Sequence, residues 1–270
     1  MEYELQFGVE IEFYNVHYEL AIRELRAAGL EVSKFAGYTH EDSETAWKIT
    51  TDSSVTNYNT GTYAGLELVS PILKGDKGLD DLRTALTVLS NIGARVDRTC
   101  GLHVHHNASS FDHQQLINIV NLYYKYQKGI NTILPKSRRT SARARYCKPI
   151  PTANLESMND NSRYLNCSTG NQRLTKVVHS FKTRYLVINL QAFLRHKTVE
   201  FRQHSGTLDA DKAEAWILLT YQMMRYASVY HVDKPTNNMG SLQNLLETVG
   251  LQDTWTADYL NSRQIALSQQ

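Results

Sequence analysis

The chain has 270 residues, of which 41% are hydrophobic, and its formal net charge is +2. This length and composition are enough to bury a hydrophobic core in one large domain or two small ones. The near balance of charge gives no general case for nucleic-acid binding, and no apolar run approaches the ~20 residues that span a bilayer.

The elements predicted in the first half of the chain alternate between strands and helices without a strict βαβ rhythm. Strands are predicted at 4–14, 46–50, 65–70 and 101–107, and helices at 16–28 and 78–91. The two helices end at Gly29 and Gly93, since glycine tolerates the left-handed backbone that closes a helix. The segment from Asn57 to Gly61 predicts a turn-rich connection.

Longer helices and one hairpin are predicted for the second half of the chain. A helix is predicted at 113–129, capped by Ser110 or Asp112. Strands at 184–194 and 198–205 predict a hairpin with its turn near residues 195–197. Asp209 opens a long apolar helix, and a small helical tail follows residue 232.

The segment 135–170 is predicted to be the least regular part of the chain. The segment 136–148 concentrates basic side chains, and these are Lys136, Arg138, Arg139, Arg143, Arg145 and Lys148. A long irregular loop in a compact domain is more often functional or disordered than decorative. Three interpretations stay open: a solvated basic loop, a loop over nucleotide phosphates, and a docking patch for an acidic partner.

The three cysteines, Cys100, Cys147 and Cys167, are an odd number without metal-ligand spacing. This pattern predicts free, buried thiols and a reducing compartment. The N-terminus enters an amphipathic segment rather than a basic and then apolar leader, so no signal peptide is predicted. We expect a soluble, cytoplasmic protein with no membrane partner.

Three predicted strands each place two polar side chains on one face, because side chains at i and i+2 of a strand point the same way. The pairs are Glu10 with Glu12, His103 with His105, and Glu200 with Arg202. His106 alternates to the opposite face, which predicts a structural histidine. One such pair is typical of a solvated sheet face, whereas three pairs among large apolar residues indicate a lined site.

Buried carboxylates repel one another and are costly to desolvate unless cations lie between them. A face lined by Glu10, Glu12, Glu67 and Glu200 therefore predicts bound metal. Oxygen ligands with one or two imidazoles suit Mg²⁺ or Mn²⁺ better than zinc.

Several segments resemble, in order, the amidoligase family, a branch of the carboxylate-amine ligases with the glutamine synthetase and glutamate-cysteine ligase fold. They are FGVEIEF, GLELVSPIL, TCGLHVHHN, an SRR and RYC segment, RYLVINLQAF and TVEFRQHSGTLD, from Phe7 to about Trp216. The resemblance implies an α+β fold with a curved, mainly antiparallel sheet and helices on its convex side. It further implies a catalytic domain over 1–232, with 233–270 as a helical tail of the same domain.

The resemblance also implies an activity and a set of ligands. The protein would be an ATP-dependent ligase that joins a carboxylate to an amine through an acyl phosphate, with ATP and Mg²⁺ or Mn²⁺ as cofactors. Glu10 and Glu12 would be divided between neighbouring metal sites. Glu67 would serve one site, and His103 with Glu200 the other.

The remaining roles implied by the resemblance concern ATP. Arg202 would stabilise the transferring phosphoryl group through its fork of donors. His105 would lie near ATP, and Arg138 and Arg139 would close on its phosphates. The sequence has no G-x-x-x-x-G-K-[ST] or G-x-G-x-x-G segment, so ATP would be held without a glycine cradle.

The substrate side rests on fewer residues. Asp52 is a candidate to hold or deprotonate the incoming amine, or else an ordinary turn aspartate. Arg184 and Asn189 are candidates to bind a substrate carboxylate, or else to brace the sheet. The expected substrates are an amino acid, a peptide or a polyamine, and an oligomer with shared sites is compatible with the resemblance.

Two other classes of function stay open. The histidines beside acidic residues fit a metal-dependent hydrolase, which would need no ATP, although the sequence has no H-E-x-x-H motif. A non-catalytic binding module on the same fold is the third class, in which degraded metal positions are expected.

Overall fold

The structure is a computed structural model that describes residues 4–33, 45–55, 65–139 and 145–269. Within them the protein is α+β, with a mostly antiparallel open sheet of seven strands and ten helices. The predicted fold class is therefore confirmed. The curvature of the sheet, the placement of helices on a convex side and the boundary at residue 232 stay predictions, and the turn predicted at Asn57 to Gly61 lies outside the described residues.

The chain divides into two compact units. The N-terminal unit comprises residues 2–105 and 204–214, and the C-terminal unit comprises residues 106–203 and 215–270. Strands β5 (Gly101–Asn107) and β7 (Thr198–Ser205) and helix α8 (Ala210–Val229) contribute residues to both units.

The N-terminal unit is built on strands in the order β2, β3, β1, β5, with β4 paired to β1. Their bounds are β1 Gln6–Phe13, β2 Lys48–Thr51, β3 Leu66–Val69 and β4 Leu73–Lys74. Strand β3 is antiparallel to both β1 and β2. The apolar side chains that alternate along β1, Phe7, Val9 and Ile11, are at most 2% exposed, so one face of this strand lies in the core.

Two helices complete the N-terminal unit, α1 (Tyr18–Ala27) and α2 (Gly75–Asn91). Both end as predicted, since Gly29 and Gly93 adopt φ angles of +90° and +86°. Helix α1 buries Ala21, Ile22 and Leu25 on one stripe. The two helices contact each other, so their apolar stripes share the core of this unit.

The C-terminal unit is mostly helical. Its helices are α3 (His113–Lys125), α4 (Gln127–Thr132), α5 (Thr152–Asn159), α6 (Gly170–Val178), α7 (Gln191–His196), α9 (Leu242–Thr248) and α10 (Trp255–Ser268), and the short strand β6 (Ile188–Asn189) pairs antiparallel with β7. Helix α3 packs on α5 and α6, and α4 packs on α9 and α10. The predicted helical tail therefore forms as α9 and α10.

Helix α3 begins as predicted and ends early. The Asp112 side chain accepts a hydrogen bond from the Gln115 backbone N–H, and the Gln115 side chain accepts one from the Asp112 backbone N–H. The prediction of one continuous helix at 113–129 is wrong, because the helix is interrupted at Tyr126 and α4 begins at Gln127. Gly129 on α4 explains the close approach to α9, because a Cβ there would lie 2.5 Å from the backbone of Leu242.

Two predictions for the C-terminal unit are wrong in part. In the described portion of 135–170, the chain forms α5, the start of α6 and two 3₁₀ turns rather than one irregular loop. The first strand of the predicted hairpin is reduced to β6, and 191–196 form helix α7. In this segment Ala192 and Phe193 are buried and residues 194–197 are exposed, which is not the alternation of a half-buried strand.

The side chain of Gln203 is the centre of a buried polar network in the C-terminal unit. Its Oε1 accepts bonds from the Tyr123 hydroxyl at 2.6 Å and from Gln127 Nε2 at 2.9 Å. Its Nε2 donates to Asn131 Oδ1 at 2.6 Å and to the Arg138 carbonyl at 3.1 Å. One amide thus joins β7 to α3, α4 and the segment that carries Arg138.

Within the described residues, no helix is long and apolar enough to cross a membrane.

All three cysteines are free and buried, as predicted. Burial raises the pKa of the Cys100 thiol to about 12. Since the thiolate is the form that alkylating reagents attack, we expect no labelling of Cys100 at pH 8 in the native protein and full labelling after denaturation. Mass spectrometry of iodoacetamide-treated protein measures this, and rapid native labelling of Cys100 would contradict the burial.

Candidate functional site

Two facing carboxylates on β1 and β3 form the base of the candidate site in the N-terminal unit. Glu12 and Glu67 are direct partners in the antiparallel register of these strands. Like charges directly opposite each other destabilise a strand pair. Strand β5, the neighbour of β1 on its other side, adds His103. One ligand atom from each of Glu12, Glu67 and His103 lies within 4.8 Å of the others.

The surroundings of Glu12 fit a bound cation. Glu12 is 4% exposed, and its Oε2 accepts a hydrogen bond from the Gly101 backbone N–H at 2.6 Å. Its Oε1 lies 3.7 Å from His103 Nε2, which leaves room for an ion between them. Two carboxylates and one imidazole suit Mg²⁺ or Mn²⁺, and a cation would offset the repulsion between Glu12 and Glu67.

Glu10 fixes the orientation of two histidines. Its Oε2 lies 2.8 Å from His103 Nδ1, and its Oε1 lies 3.3 Å from His105 Nε2. Burial alone would raise the pKa of Glu10, but the hydrogen bonds and charge of His103 and His105 hold that pKa well below its ordinary value. With Nδ1 bound to Glu10, His103 presents Nε2 to Glu12, the arrangement in which a carboxylate orients a metal-binding imidazole.

The other predicted pair, Glu200 and Arg202, lies in the C-terminal unit on β7. The two side chains are 3% and 9% exposed and form an ion pair between Glu200 Oε1 and Arg202 Nη1. Asn189 is the register partner of Glu200 on β6, and its Nδ2 donates to Glu200 Oε2 at 2.6 Å. Asn189 thus braces the sheet and holds the second oxygen of Glu200.

Two of the four arginines of the basic segment, Arg138 and Arg139, are bound to the protein rather than fully solvated. Arg138 is 7% exposed, and its Nη1 lies 3.5 Å from Cys147 Sγ. Arg139 Nε donates to the Leu134 carbonyl. The interpretation of 136–148 as a wholly solvated loop is therefore wrong for Arg138, and Arg143 lies outside the described residues.

The candidate substrate residues have simpler surroundings. Asp52 Oδ1 accepts from the Ser54 N–H at 2.6 Å, so Asp52 organises the turn after β2. Its own N–H donates to the Gly65 carbonyl, two residues before Glu67 on the neighbouring strand. Arg184 is exposed and lies over the Tyr185 ring at 5.3 Å.

His106 is the structural histidine predicted from strand alternation. It is fully buried, and its Nε2 lies 2.8 Å from the Thr220 hydroxyl on α8. Its ring meets Phe201 edge-on at 5.7 Å between centroids. His103 and His106, three positions apart in one strand, thus have separate tasks.

The family model described as "Putative amidoligase enzyme" matches residues 3–224 of the chain. The chain belongs to the amidoligase family. The match includes every residue of the candidate site from Glu10 to Arg202 and confirms the resemblance seen in the sequence. No curated protein matches the chain. Membership of this family supports a ligase activity.

Proposed function

We propose that this amidoligase joins a carboxylate to an amine at the expense of ATP, with an amino acid, a peptide or a polyamine among its substrates. The observation that supports the proposal most is the cluster of Glu12, Glu67 and His103 in a member of this family.

The chemistry explains why these groups are needed. A carboxylate does not react with an amine in neutral water, so its oxygen must first become part of a leaving group. An acyl phosphate made from ATP supplies that group. A bound divalent cation would neutralise phosphate oxygens during the transfer.

The proposed work of the residues follows from their surroundings. Glu12, Glu67 and His103 hold the cation. Glu10 orients the His103 ring and is also a proposed metal ligand. Glu200 stays a proposed metal ligand by the family resemblance. Its two oxygens are already positioned by Asn189 and Arg202.

The nucleotide and the amine would meet other groups. The guanidinium of Arg202 would face the developing phosphoryl charge, and His105, Arg138 and Arg139 would face ATP. Asp52 would accept the proton of the incoming amine, whose lone pair must be free to attack.

The hydrolase alternative has less support. His103 and His105 both pair with one carboxylate, Glu10, which accounts for their proximity without a hydrolytic role. The two activities separate in one assay, since only the ligase consumes ATP in proportion to product.

The test is to incubate the protein with ATP, Mg²⁺ and mixtures of amino acids and polyamines. We expect a product one water lighter than the sum of two components, formed together with ADP. Product formation without ATP would favour a hydrolase acting in reverse. Absence of any product or ADP from such mixtures and from a whole-cell extract would contradict the ligase.

A conservative change at Arg202 should separate binding from catalysis. In Arg202→Lys the charge remains but the fork of donors is lost, so we expect kcat to fall about a hundredfold with a much smaller change in the Kd for ATP. Steady-state kinetics and equilibrium ATP binding measure the two effects. Arg23→Lys, at an exposed arginine of α1, is the matched control, and equal kcat values for Arg202→Lys and the wild type would leave Arg202 a structural role.

A further inference from the structure

A cavity in the C-terminal unit, with both polar and apolar lining residues, has no part in the proposed reaction. It has a volume of about 370 Å³, and none of the residues proposed above lines it. The lining residues that matter here are Asn154, Ser157, Arg163, His179, Lys182 and Leu186. The volume lies at the small end of the range for ligand sites.

The guanidinium of Arg163 is fixed in the wall of this cavity. Its Nη1 donates to the Ser157 carbonyl, to the Ser157 hydroxyl and to the Ser180 hydroxyl, each at 2.6 Å. Because Ser157 Oγ accepts from Arg163, its own proton is turned away and can be donated to a ligand. The cation is thus held in place before any ligand arrives, which lowers the entropic cost of binding.

The charge of the cavity is positive. Among the described residues no aspartate or glutamate lines it, whereas Arg163 and Lys182 both do. Neither of these two cations forms an ion pair with another of the residues that the structure describes. Asp160 is close enough to Arg163 for their charges to interact, but its Oδ1 accepts from the Ser162 N–H and hydroxyl.

The cavity also has an apolar wall. Leu186, which is 2% exposed in the protein as a whole, lines it together with Pro151 and Ala153. A bare inorganic ion would leave this wall in contact with water. A ligand with one anionic head and a short hydrocarbon body would cover it.

We propose that this cavity binds a small organic anion through its carboxylate or phosphate head. Arg163, the Ser157 hydroxyl and Lys182 would receive the head, and Leu186 would contact the body. The two head groups share the chemistry of a compact oxyanion with several acceptor oxygens.

The experiment uses the full-length protein in EDTA without nucleotide, titrated calorimetrically with butyrate, with propyl phosphate and, as a cationic control, with spermidine. We expect butyrate or propyl phosphate to bind and spermidine not to bind. Lys182→Gln should weaken the binding about tenfold, since a charge-assisted hydrogen bond is lost, while Lys182→Arg should retain wild-type binding because it keeps the charge. Lys182 is exposed, so neither change should disturb folding; Lys128→Gln, at another exposed lysine of this unit, is the matched control.

Binding of butyrate alone would identify a carboxylate ligand, and binding of propyl phosphate alone a phosphorylated one; each result supports the site if Lys182→Gln weakens the binding. The proposal is overturned if neither anion binds at millimolar concentration, or if Lys182→Gln binds as tightly as the wild type. Since metal and ATP are absent, such a failure would leave the ligase proposal untouched.

Discussion

Replacing Glu12 by glutamine is expected to abolish the stabilisation of this amidoligase by Mg²⁺ or Mn²⁺ and, with it, the turnover of ATP. An amide has nearly the shape of the carboxylate but lacks its charge, and Glu12 is the buried member of the facing pair with Glu67. A ligand at a hundred times its Kd stabilises the native state by about 2.7 kcal/mol, which raises the Tm of a protein of this size by several degrees. That rise should vanish in Glu12→Gln.

The metal-free protein should respond in the opposite direction. Removing one of two facing negative charges relieves their repulsion, so Glu12→Gln without metal should be at least as stable as the wild type. Thermal unfolding with EDTA and with Mn²⁺ gives both comparisons, and Glu31→Gln, at an exposed glutamate, is the control. An equal Mn²⁺-induced rise in Tm in Glu12→Gln would show that the cluster does not hold the ion.

The second large effect is expected at Gln203, which lies on β7 next to Arg202. In Gln203→Leu four groups lose a hydrogen bond: the Tyr123 hydroxyl, the Gln127 amide, the half-buried Asn131 side chain and the Arg138 carbonyl. Gln127 Nε2 and Asn131 Oδ1 keep a bond to each other at 3.3 Å, so the buried Tyr123 hydroxyl and Arg138 carbonyl are affected most. Each unsatisfied buried group costs about 1–3 kcal/mol, and partial rearrangement lowers the sum. We expect a loss of about 3–4 kcal/mol in the free energy of unfolding, measured by urea denaturation.

A double-mutant cycle with Tyr123→Phe tests whether the network causes this loss. Once the tyrosine hydroxyl is gone, Gln203→Leu no longer leaves it unsatisfied, so the two changes together should cost about 1 kcal/mol less than their sum. Strict additivity, or a loss below about 1 kcal/mol for Gln203→Leu alone, would reduce the network to a minor contribution.

The strands that carry the candidate site were predictable because their signal is local. In β1, β5 and β7, polar and apolar residues alternate, and alternation alone states which side chains share a face. The contact of Glu200 with Arg202 and the separation of His103 from His106 follow from it directly. Alternation contains no information about which strands are neighbours, and the pairing of Glu12 with Glu67 depends on that.

The short helices of the C-terminal unit were not predictable in the same way. Helix α7 has only six residues and follows β6 after one residue, so its apolar run reads equally well as a strand. Helix α5 has eight residues, of which Leu155 and Met158 alone are buried, too few to show a helical period. Packing within the unit, rather than local propensity, decides both elements.

Two residues were missed for a different reason, one at the candidate site and one in the polar network of the C-terminal unit. Gly101 acts through its backbone N–H toward Glu12, and a backbone donor has no signature in a sequence. Gln203 lies beside the noticed residue Arg202 but on the other face of its strand, and a single glutamine does not distinguish a surface position from the centre of a buried network.

Because Glu12 and Glu67 are partners in the register of β1 and β3, binding of the candidate cation would depend on the correct pairing of these strands. A slip of one residue between β1 and β3 would turn Glu67 to the opposite face, and the cluster with Glu12 and His103 would no longer exist. An ion that binds only the correct alignment lowers the free energy of that alignment and of no other. The ion would therefore stabilise the native register of β1 and β3 relative to shifted registers, and it would offset the repulsion between the two carboxylates.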